Sequence, residues 1–306
     1  MSLVVNTNVA SMNAQRSLMH SGRELQTAME RLSTGKKINS AADDAAGFAI
    51  AESMTAQIRG LSMAAKNASD ALGLLKVVEN ATNDVTDMLQ RIRELAVQAQ
   101  SGTNSTGDVA NLQQEANALI DEIGRVSEDT KYNGVAYIGS ENGSKNIQVG
   151  YNDGDSITIT TYDIGADKLG ALVTDAENVD DDSDTSQVLV ALKDGDTYLD
   201  ISQTEAAAVS GTSNRRPGSL EVITGAIEQL AGYKAEWGAG QNRLQYTVSN
   251  LMNVVEFTTA ARSRIQDADF AVEAARLAKS QVLQQTGTAM LAQANASPQL
   301  AISLLS

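Results

Sequence analysis

Residues that commonly carry catalysis or bind metal ions are scarce in this chain. It has one histidine, His20, and no cysteine, so the sequence offers neither a second imidazole nor a thiolate to complete a zinc site. The absence of cysteine also excludes disulfides and thiol nucleophiles, and it fits an exported chain as well as a cytosolic one. We therefore expect His20 to be a solvated or interface residue.

Two glycine-containing segments superficially match nucleotide-binding motifs. The segment GKK at 35–37 lacks the first glycine of a phosphate-binding loop, and Lys37 stands where that loop needs a hydroxyl. The segment GAG at 238–240 is followed by Arg243 where a dinucleotide motif needs its third glycine, and it lies within a predicted helix rather than after a strand. Neither segment therefore predicts a nucleotide site.

Three aspartates in one acidic run resemble part of a calcium loop. Asp180, Asp182 and Asp184 occupy the first three ligand positions of an EF-hand, but Thr185 replaces its turn glycine and Ala191 its bidentate glutamate. A solvated acidic loop explains the run better, and the other carboxylates lie in no recognisable catalytic motif. The sequence therefore predicts no enzyme activity, no metal site and no cofactor.

The composition favours extended helical bundles over a compact enzyme. The chain has 306 residues, of which 42% are apolar and only 4% aromatic, a low aromatic share for an ordinary globular core. Its formal net charge of -15 would repel phosphate backbones, so nucleic acid is not an expected partner. No run of about 20 apolar residues predicts a membrane span, and the first residues do not form a secretory signal.

Two apolar stripes with helical spacing flank the middle of the chain. The first slips once, because Glu79 and Thr82 take the expected apolar positions while Val78 and Ala81 lie one residue earlier. Its members are Met54, Ile58, Leu61, Ala65, Ala68, Leu72, Leu75, Val85, Leu89 and Ile92. The second stripe contains Ile223, Ile227, Leu230, Trp237, Leu244, Val248, Leu251, Val255 and Ile265.

The helix of the first stripe has predictable ends. Asp43 or Asp44 can accept backbone N–H bonds at its start, and it continues to about Ala99. Before it, an amphipathic helix over about 8–32 stops at Ser33, Thr34 and Gly35. After it, the Ser-, Thr- and Gly-rich stretch 101–107 predicts a turn into an antiparallel helix over about 108–126.

The period changes between residues 132 and 220. Segments 146–151 and 156–161 predict a hairpin around the sequence NDGD, and segments 188–192 and 197–201 predict a second hairpin around KDGD. Pro217 can occupy the first turn of the helix that carries the second stripe. A last helix follows residues 266–269, with a restart at Ser297-Pro298.

These elements predict a mainly α fold with a small β-rich region. We expect a long antiparallel, coiled-coil-like bundle, with the N- and C-terminal helices paired and hairpins in the middle of the chain. The expected domains are a terminal helical domain (1–43 and 266–306), a bundle and hairpin domain (44–175 and 212–265) and a short variable surface segment (176–211).

Four separated segments resemble bacterial flagellins. RLSTGKKINSAADDAAGFAIAE (31–52) is similar to the N-terminal signature of that family, and LQRIRELAVQ (89–98) is similar to a second family segment. TTAARSRIQDADFA (258–271) and MLAQANASPQLAISLL (290–305) resemble the C-terminal signature. The resemblance covers about residues 1–139 and 217–306, and it implies a short flagellin without large outer domains.

The resemblance implies a structural subunit of the bacterial flagellar filament, an extracellular homopolymer that serves motility. It further implies an export chaperone, unfolded export through the flagellar type III apparatus, and contacts with flagellar cap and hook-associated proteins. In flagellins the paired terminal helices form the inner tube of the filament and the stripe helices form a second shell.

A physical argument also leads to polymerisation. A terminal pair with about 25 to 35 residues per helix cannot bury its apolar rows alone, so we expect disorder in the monomer and order beside neighbours. A head-to-tail interface whose rotation does not close gives an open filament. The expected polymerisation core consists of Val5, Met12, Leu18, Leu25, Leu32, Leu277, Leu283, Met290 and Leu291.

Many flagellins are recognised by Toll-like receptor 5, and the resemblance places the receptor contacts at Gln90, Arg91, Leu95 and Glu115. Arg91 and Leu95 are about one helical turn apart, so we expect them to share an exposed face. In the family this surface also serves subunit packing, so the polymer should hide it.

Two alternatives stay open. A hook-filament junction protein shares the terminal helices, although the complete signatures at both ends and the small centre favour the filament subunit. The second alternative is a surface-binding module that uses the acidic loop for calcium or for a host surface. An enzyme is disfavoured, because the centre is short and lacks a cluster of metal ligands.

Overall fold

The computed structural model describes residues 7–174, 187–203 and 218–303, and within them it has five helices and three two-stranded antiparallel sheets. The helices are α1 (Val9–Thr34), α2 (Ala45–Ala99), α3 (Thr106–Asp129), α4 (Ser219–Gln266) and α5 (Phe270–Ser303). The strands are β1 (Gly143–Gln148), β2 (Ser156–Thr161), β3 (Gly170–Thr174), β4 (Gln187–Ala191), β5 (Lys193–Asp194) and β6 (Thr197–Tyr198). The predicted fold class is confirmed.

The chain divides into two compact units. The terminal unit comprises Met1–Gly60 and Asn253–Ser306, and the central unit comprises Leu61–Met252. Helices α2 and α4 contribute residues to both units. The three sequence domains, with limits at 43/44, 175/176, 211/212 and 265/266, stay a prediction.

In the terminal unit, α1 is capped at both ends, by the Asn8 side chain at its start and by the left-handed backbone of Gly35 at its end. The Asn8 side chain accepts a hydrogen bond from the backbone N–H of Ser11 at 3.0 Å, which satisfies a donor that the helix leaves open. Gly35 has a left-handed φ of 70°, and its N–H donates to the carbonyl of Arg31 at 2.9 Å. The predicted stop at residues 33–35 is therefore confirmed.

The start of α2 uses one aspartate, and the other orders the preceding loop. Asp44 accepts the backbone N–H of Gly47 at 3.0 Å, which is the capping role predicted for residue 43 or 44. Asp43 instead accepts the backbone N–H groups of Ser40 at 3.0 Å and Asn39 at 3.1 Å. These hydrogen bonds, the one from Ser40 first, lower the pKa of Asp43 below its ordinary value.

Helix α5 differs from expectation near its end. It continues without interruption to Ser303, so the restart at Ser297-Pro298 is wrong. Proline fixes φ near the helical value and removes one backbone donor, and this helix tolerates that loss within its last turns.

The central unit buries most of those members of the two apolar stripes that lie within it. Of the first stripe, Leu61, Ala68, Leu75, Val85, Leu89 and Ile92 are buried; of the second, Ile223, Leu230, Trp237, Leu244 and Leu251 are buried. At the slip, Val78 and Ala81 are buried as predicted. Thr82 is also fully buried. The helix tolerates this burial of a hydroxyl because the hydroxyl donates to the carbonyl of Val78 at 2.7 Å, so no donor is left unpaired.

The first predicted hairpin is confirmed in its pairing and in its second strand, whereas its first strand lies at 143–148 and not at 146–151. Strands β1 and β2 pair antiparallel with Gln148 opposite Ser156, and Gly154 in the connecting turn has a φ of 88°, which a residue with a Cβ rarely adopts.

The second predicted hairpin is wrong in its extent. Only β5 and β6, two residues each, pair across the KDGD turn, whereas β4 pairs antiparallel with β3. The reason lies in the distant partner: the apolar run Val188–Val190 of β4 is in register with Ala171–Val173 of β3. Pro217 and the acidic run with Asp180, Asp182 and Asp184 lie outside the described residues.

Candidate assembly and receptor surfaces

The interior of the α1 and α5 pair is small and polar. The two helices pack against each other, and among their described side chains the buried ones are Ser11, Ser21 and Ala28 of α1 with Glu273 and Ser280 of α5. Such short side chains allow two helix backbones to approach closely. They also give little apolar burial, so the pair gains little hydrophobic stabilisation from its own interior.

Polar contacts fix how α1 lies against α5. The Asn8 amide donates to the carbonyl of Ala294 at 2.8 Å, and the Ser11 hydroxyl donates to the Asn295 side chain at 2.8 Å. Nearer the other end of α1, the Arg31 guanidinium donates to the Glu273 carboxylate at 3.3 Å. These contacts define the alignment of the two helices.

The described residues of the predicted polymerisation core are either exposed or half-buried in this pair, and none of them is fully buried. Met12, Leu283 and Met290 are exposed, at 54%, 42% and 64% of their full accessible area. Half-buried positions are Leu18, Leu25, Leu32, Leu277 and Leu291. Val5 lies outside the described residues. The apolar rows are therefore open to solvent in a single copy, whereas their role in polymerisation stays a prediction.

Sequence reasoning missed several exposed apolar side chains in the same unit. Phe257 and Phe270 are 73% and 72% exposed, and Met19 and Val282 are also open to solvent. The chain has only three phenylalanines, and Phe257 falls off the second stripe. An aromatic residue off the buried face of a helix was the signal that would have identified Phe257.

A charged cluster lies on α2 and α3 of the central unit. Arg91 donates from Nε and Nη2 to one oxygen of Glu115 at 3.0 and 2.9 Å, and from Nη1 to Glu94 at 3.0 Å. The hydrogen bonds to Glu115 first, then to Glu94, raise the pKa of Arg91 above its ordinary value. Gln90 is exposed beside it. The structure therefore brings together the predicted Arg91 and Glu115 in one ordered surface patch.

Leu95 corrects the expected receptor face. It is 1% exposed and belongs to the same apolar core as Ile92 and Ala116, so it does not share the exposed face of Arg91. A residue four positions along a helix is rotated by about 40°, and here that rotation crosses from the surface into the core. The half-exposed Arg91 stands at the edge of the buried stripe.

The described residues hold no group of three or more His, Asp or Glu that could bind a metal ion. His20 is well exposed and lies 3.6 Å from the Glu24 carboxylate, one helical turn away. Across the described ranges, no helix has the length and apolarity to cross a membrane.

Comparisons with known proteins cover nearly all of the helical regions. Residues 5–139 match the family model described as the bacterial flagellin N-terminal helical region, and residues 220–305 match that of the C-terminal helical region. Flagellin A of Vibrio cholerae serotype O1 is 33% identical, and Polar flagellin A of Vibrio parahaemolyticus serotype O3:K6 is 34% identical, with 100% of each chain covered in both cases. The crystal structure of Bacillus cereus flagellin is 22% identical to this chain, with 61% of this chain and 88% of that chain covered and a TM-score of 0.41.

The N-terminal family model covers the two segments near the start of the chain that resemble flagellins, and the C-terminal model covers the two segments near its end. Together they span well over half of the chain, and curated flagellins align with it from end to end. The chain belongs to the bacterial flagellin family, the structural proteins of the flagellar filament.

Proposed function

We propose that this chain forms the extracellular flagellar filament by packing its α1 and α5 helices against those of neighbouring copies, and that it has no enzyme activity. The observation that carries the proposal is the arrangement of the terminal pair, with small polar residues inside and large apolar residues outside. Soluble monomers rarely keep such rows exposed unless a partner covers them.

Magnitudes favour association over a stable lone pair. Fully burying a Met, Leu or Val side chain contributes about 1.5 to 3 kcal/mol, and the pair's own interior buries none of these among its described side chains. Met12, Leu283 and Met290 are already partly covered in one copy, and they gain the remaining part of that contribution only from another copy. Disorder of α1 and α5 in the free monomer follows from the same comparison.

A groove along the pair supplies a place for a neighbouring copy. Its volume is about 720 Å³, and its lining includes Ala10, Ala14, Leu283 and Met290. The small Ala10 and Ala14 and the larger Leu283 and Met290 of its lining suit contact with a helix of a second copy. The groove therefore supports the proposal that α1 and α5 form the assembly surface.

The proposal includes the partners that a filament subunit needs. We propose export of the unfolded chain by the flagellar type III apparatus, with an export chaperone before export and with cap and hook-associated proteins at assembly. A terminal helix pair that is only weakly stable alone suits export of the unfolded chain, because separating and unfolding α1 and α5 then costs little free energy.

Electron microscopy of the purified full chain tests the filament proposal. We expect smooth helical filaments under conditions that favour association, with a subunit concentration below which none form. Soluble particles alone at every concentration up to saturation would contradict it.

We further propose that the monomer is recognised by Toll-like receptor 5 through Gln90, Arg91 and Glu115. The ordered contacts of Arg91 with Glu115 and Glu94 support this proposal, because a pre-positioned guanidinium loses little side-chain freedom on binding. The proposed contacts leave out Leu95, because its side chain is buried in the core beneath this patch.

The substitution Arg91→Asp is expected to lower receptor activation by at least tenfold, because it removes the cation and places a carboxylate beside Glu94 and Glu115. A reporter-cell assay with monomeric protein measures it. The matched control is Arg93→Asp, an exposed arginine on the same helix with no ion pair in the described structure. Equal potency of the two variants would refute the assignment.

A further inference from the structure

A cavity with an excess of positive charge lies along α1 and α5 of the terminal unit. Its volume is about 540 Å³, and its lining includes four cationic side chains, Arg23, Arg31, Arg276 and Lys279. The carboxylates in its lining are Glu24 and Glu273. Such a cluster is unusual in a chain whose formal net charge is -15.

The carboxylates leave much of this positive charge unpaired. One oxygen of the buried Glu273 accepts hydrogen bonds from both Arg31 at 3.3 Å and Arg276 at 2.8 Å, so two guanidinium groups share one negative charge. Among the described residues, Arg23 and Lys279 have no ion-pair partner within 4.0 Å. At least two cations therefore face the cavity without a compensating anion.

Arg31 also has an unused donor. Its side chain is 20% exposed, and its Nε–H is buried with no hydrogen-bond acceptor among the described groups. A buried donor without an acceptor is rare in folded proteins. A guanidinium offers donors in a planar fork that fits the oxygens of a carboxylate or a phosphate.

We propose that this cavity is an oxyanion site that fastens α1 to α5. The ligand is an oxyanion of the phosphate or carboxylate class, bound by the exposed Arg23 and Lys279 beside the partly exposed Arg31. It has two possible sources, an inorganic anion or an Asp or Glu side chain of a neighbouring copy. The site rests on the proposed function, because α1 and α5 are ordered in the filament.

Binding of inorganic phosphate to pelleted filaments distinguishes the sources. The variant Arg23→Gln removes one unpaired cation, and Arg264→Gln makes the same change at an exposed position of α4 in the same unit, outside the linings of the cavity and of the groove. Sodium chloride keeps the ionic strength constant in all samples, so general salt effects are equal. Electron microscopy of each sample reports separately on the proposed function, because it shows whether filaments are present before phosphate binding is measured.

For an inorganic ligand, we expect about one phosphate per wild-type subunit, at least tenfold weaker binding by Arg23→Gln, and unchanged binding by Arg264→Gln. For a carboxylate of a neighbouring copy, we expect no phosphate binding, but a critical concentration for assembly that Arg23→Gln raises at least fivefold and Arg264→Gln leaves unchanged. The site is overturned if wild-type protein binds no phosphate and the two variants assemble alike, or if both variants bind phosphate as the wild type does.

Discussion

Removal of residues 1–32 is expected to abolish filaments and to leave the central unit folded. The deletion takes away most of α1, and with it one side of the terminal pair and the exposed Met12. The apolar core of the central unit contains none of the deleted residues. Electron microscopy should show no filaments, whereas circular dichroism should show a helical protein with a cooperative urea transition.

Point variants separate the apolar surface from the deletion's other effects. Met290→Asp places a charge on α5 at a position that is 64% exposed, and Met252→Asp makes the same change at 62% exposure in the central unit. Neither change disturbs a buried contact in one copy. We expect Met290→Asp to raise the critical concentration at least tenfold and Met252→Asp to change it much less. Equal effects would show that the terminal rows are not the dominant interface.

The substitution Trp237→Ala is expected to destabilise the central unit by about 3 to 5 kcal/mol. The indole is 2% exposed, and its N–H donates to the carbonyl of Thr160 at 2.9 Å. Its ring lies 6.1 Å from that of Tyr233 and 6.4 Å from that of Tyr162, measured between centroids. Removal of the indole loses buried apolar area, leaves a cavity and deprives the Thr160 carbonyl of its hydrogen bond, and all three effects lower the free energy of unfolding.

Urea denaturation followed by circular dichroism measures this loss, because the variant has no tryptophan fluorescence. The control Tyr246→Ala removes an aromatic ring from the same helix at a position that is 79% exposed. Surface changes of this kind alter the free energy of unfolding by about 0.5 kcal/mol or less. A Trp237→Ala transition that coincides with the control would mean that the indole does not support the core.

Local signals in the sequence account for the parts of the fold that were predicted. Helical spacing marked both stripes, Gly35 marked the end of α1, and the turn around Gly154 marked the first hairpin. Each signal depends on residues a few positions apart. The partner of β4 is instead β3, on the far side of a segment that separates residue 174 from residue 187, and no turn motif announces such a pairing.

For the candidate sites as well, the sequence did not predict contacts between residues that are far apart in the chain. Arg91 and Glu115 were predicted together because the resemblance to flagellins places both at the receptor contacts, and the structure joins them at 2.9 Å. The contact between Arg31 and Glu273 links residues 242 positions apart, and charge patterning within either helix does not predict it. Leu95 was misplaced because helical spacing alone does not tell how wide a buried face becomes when more than one element covers it.

The polar interior of the α1 and α5 pair bears on which chains can mix in one filament. Hydrogen bonds such as those of Asn8 and Ser11 with α5 depend on atom positions, whereas contacts between exposed apolar rows tolerate changes of shape. The polar residues between α1 and α5 thus determine how the two helices align, whereas the exposed apolar residues determine how the pair binds to neighbouring copies. Two flagellins that share the interior residues should copolymerise even when their outer apolar residues differ, whereas a change at Ser11 should exclude a chain from a mixed filament.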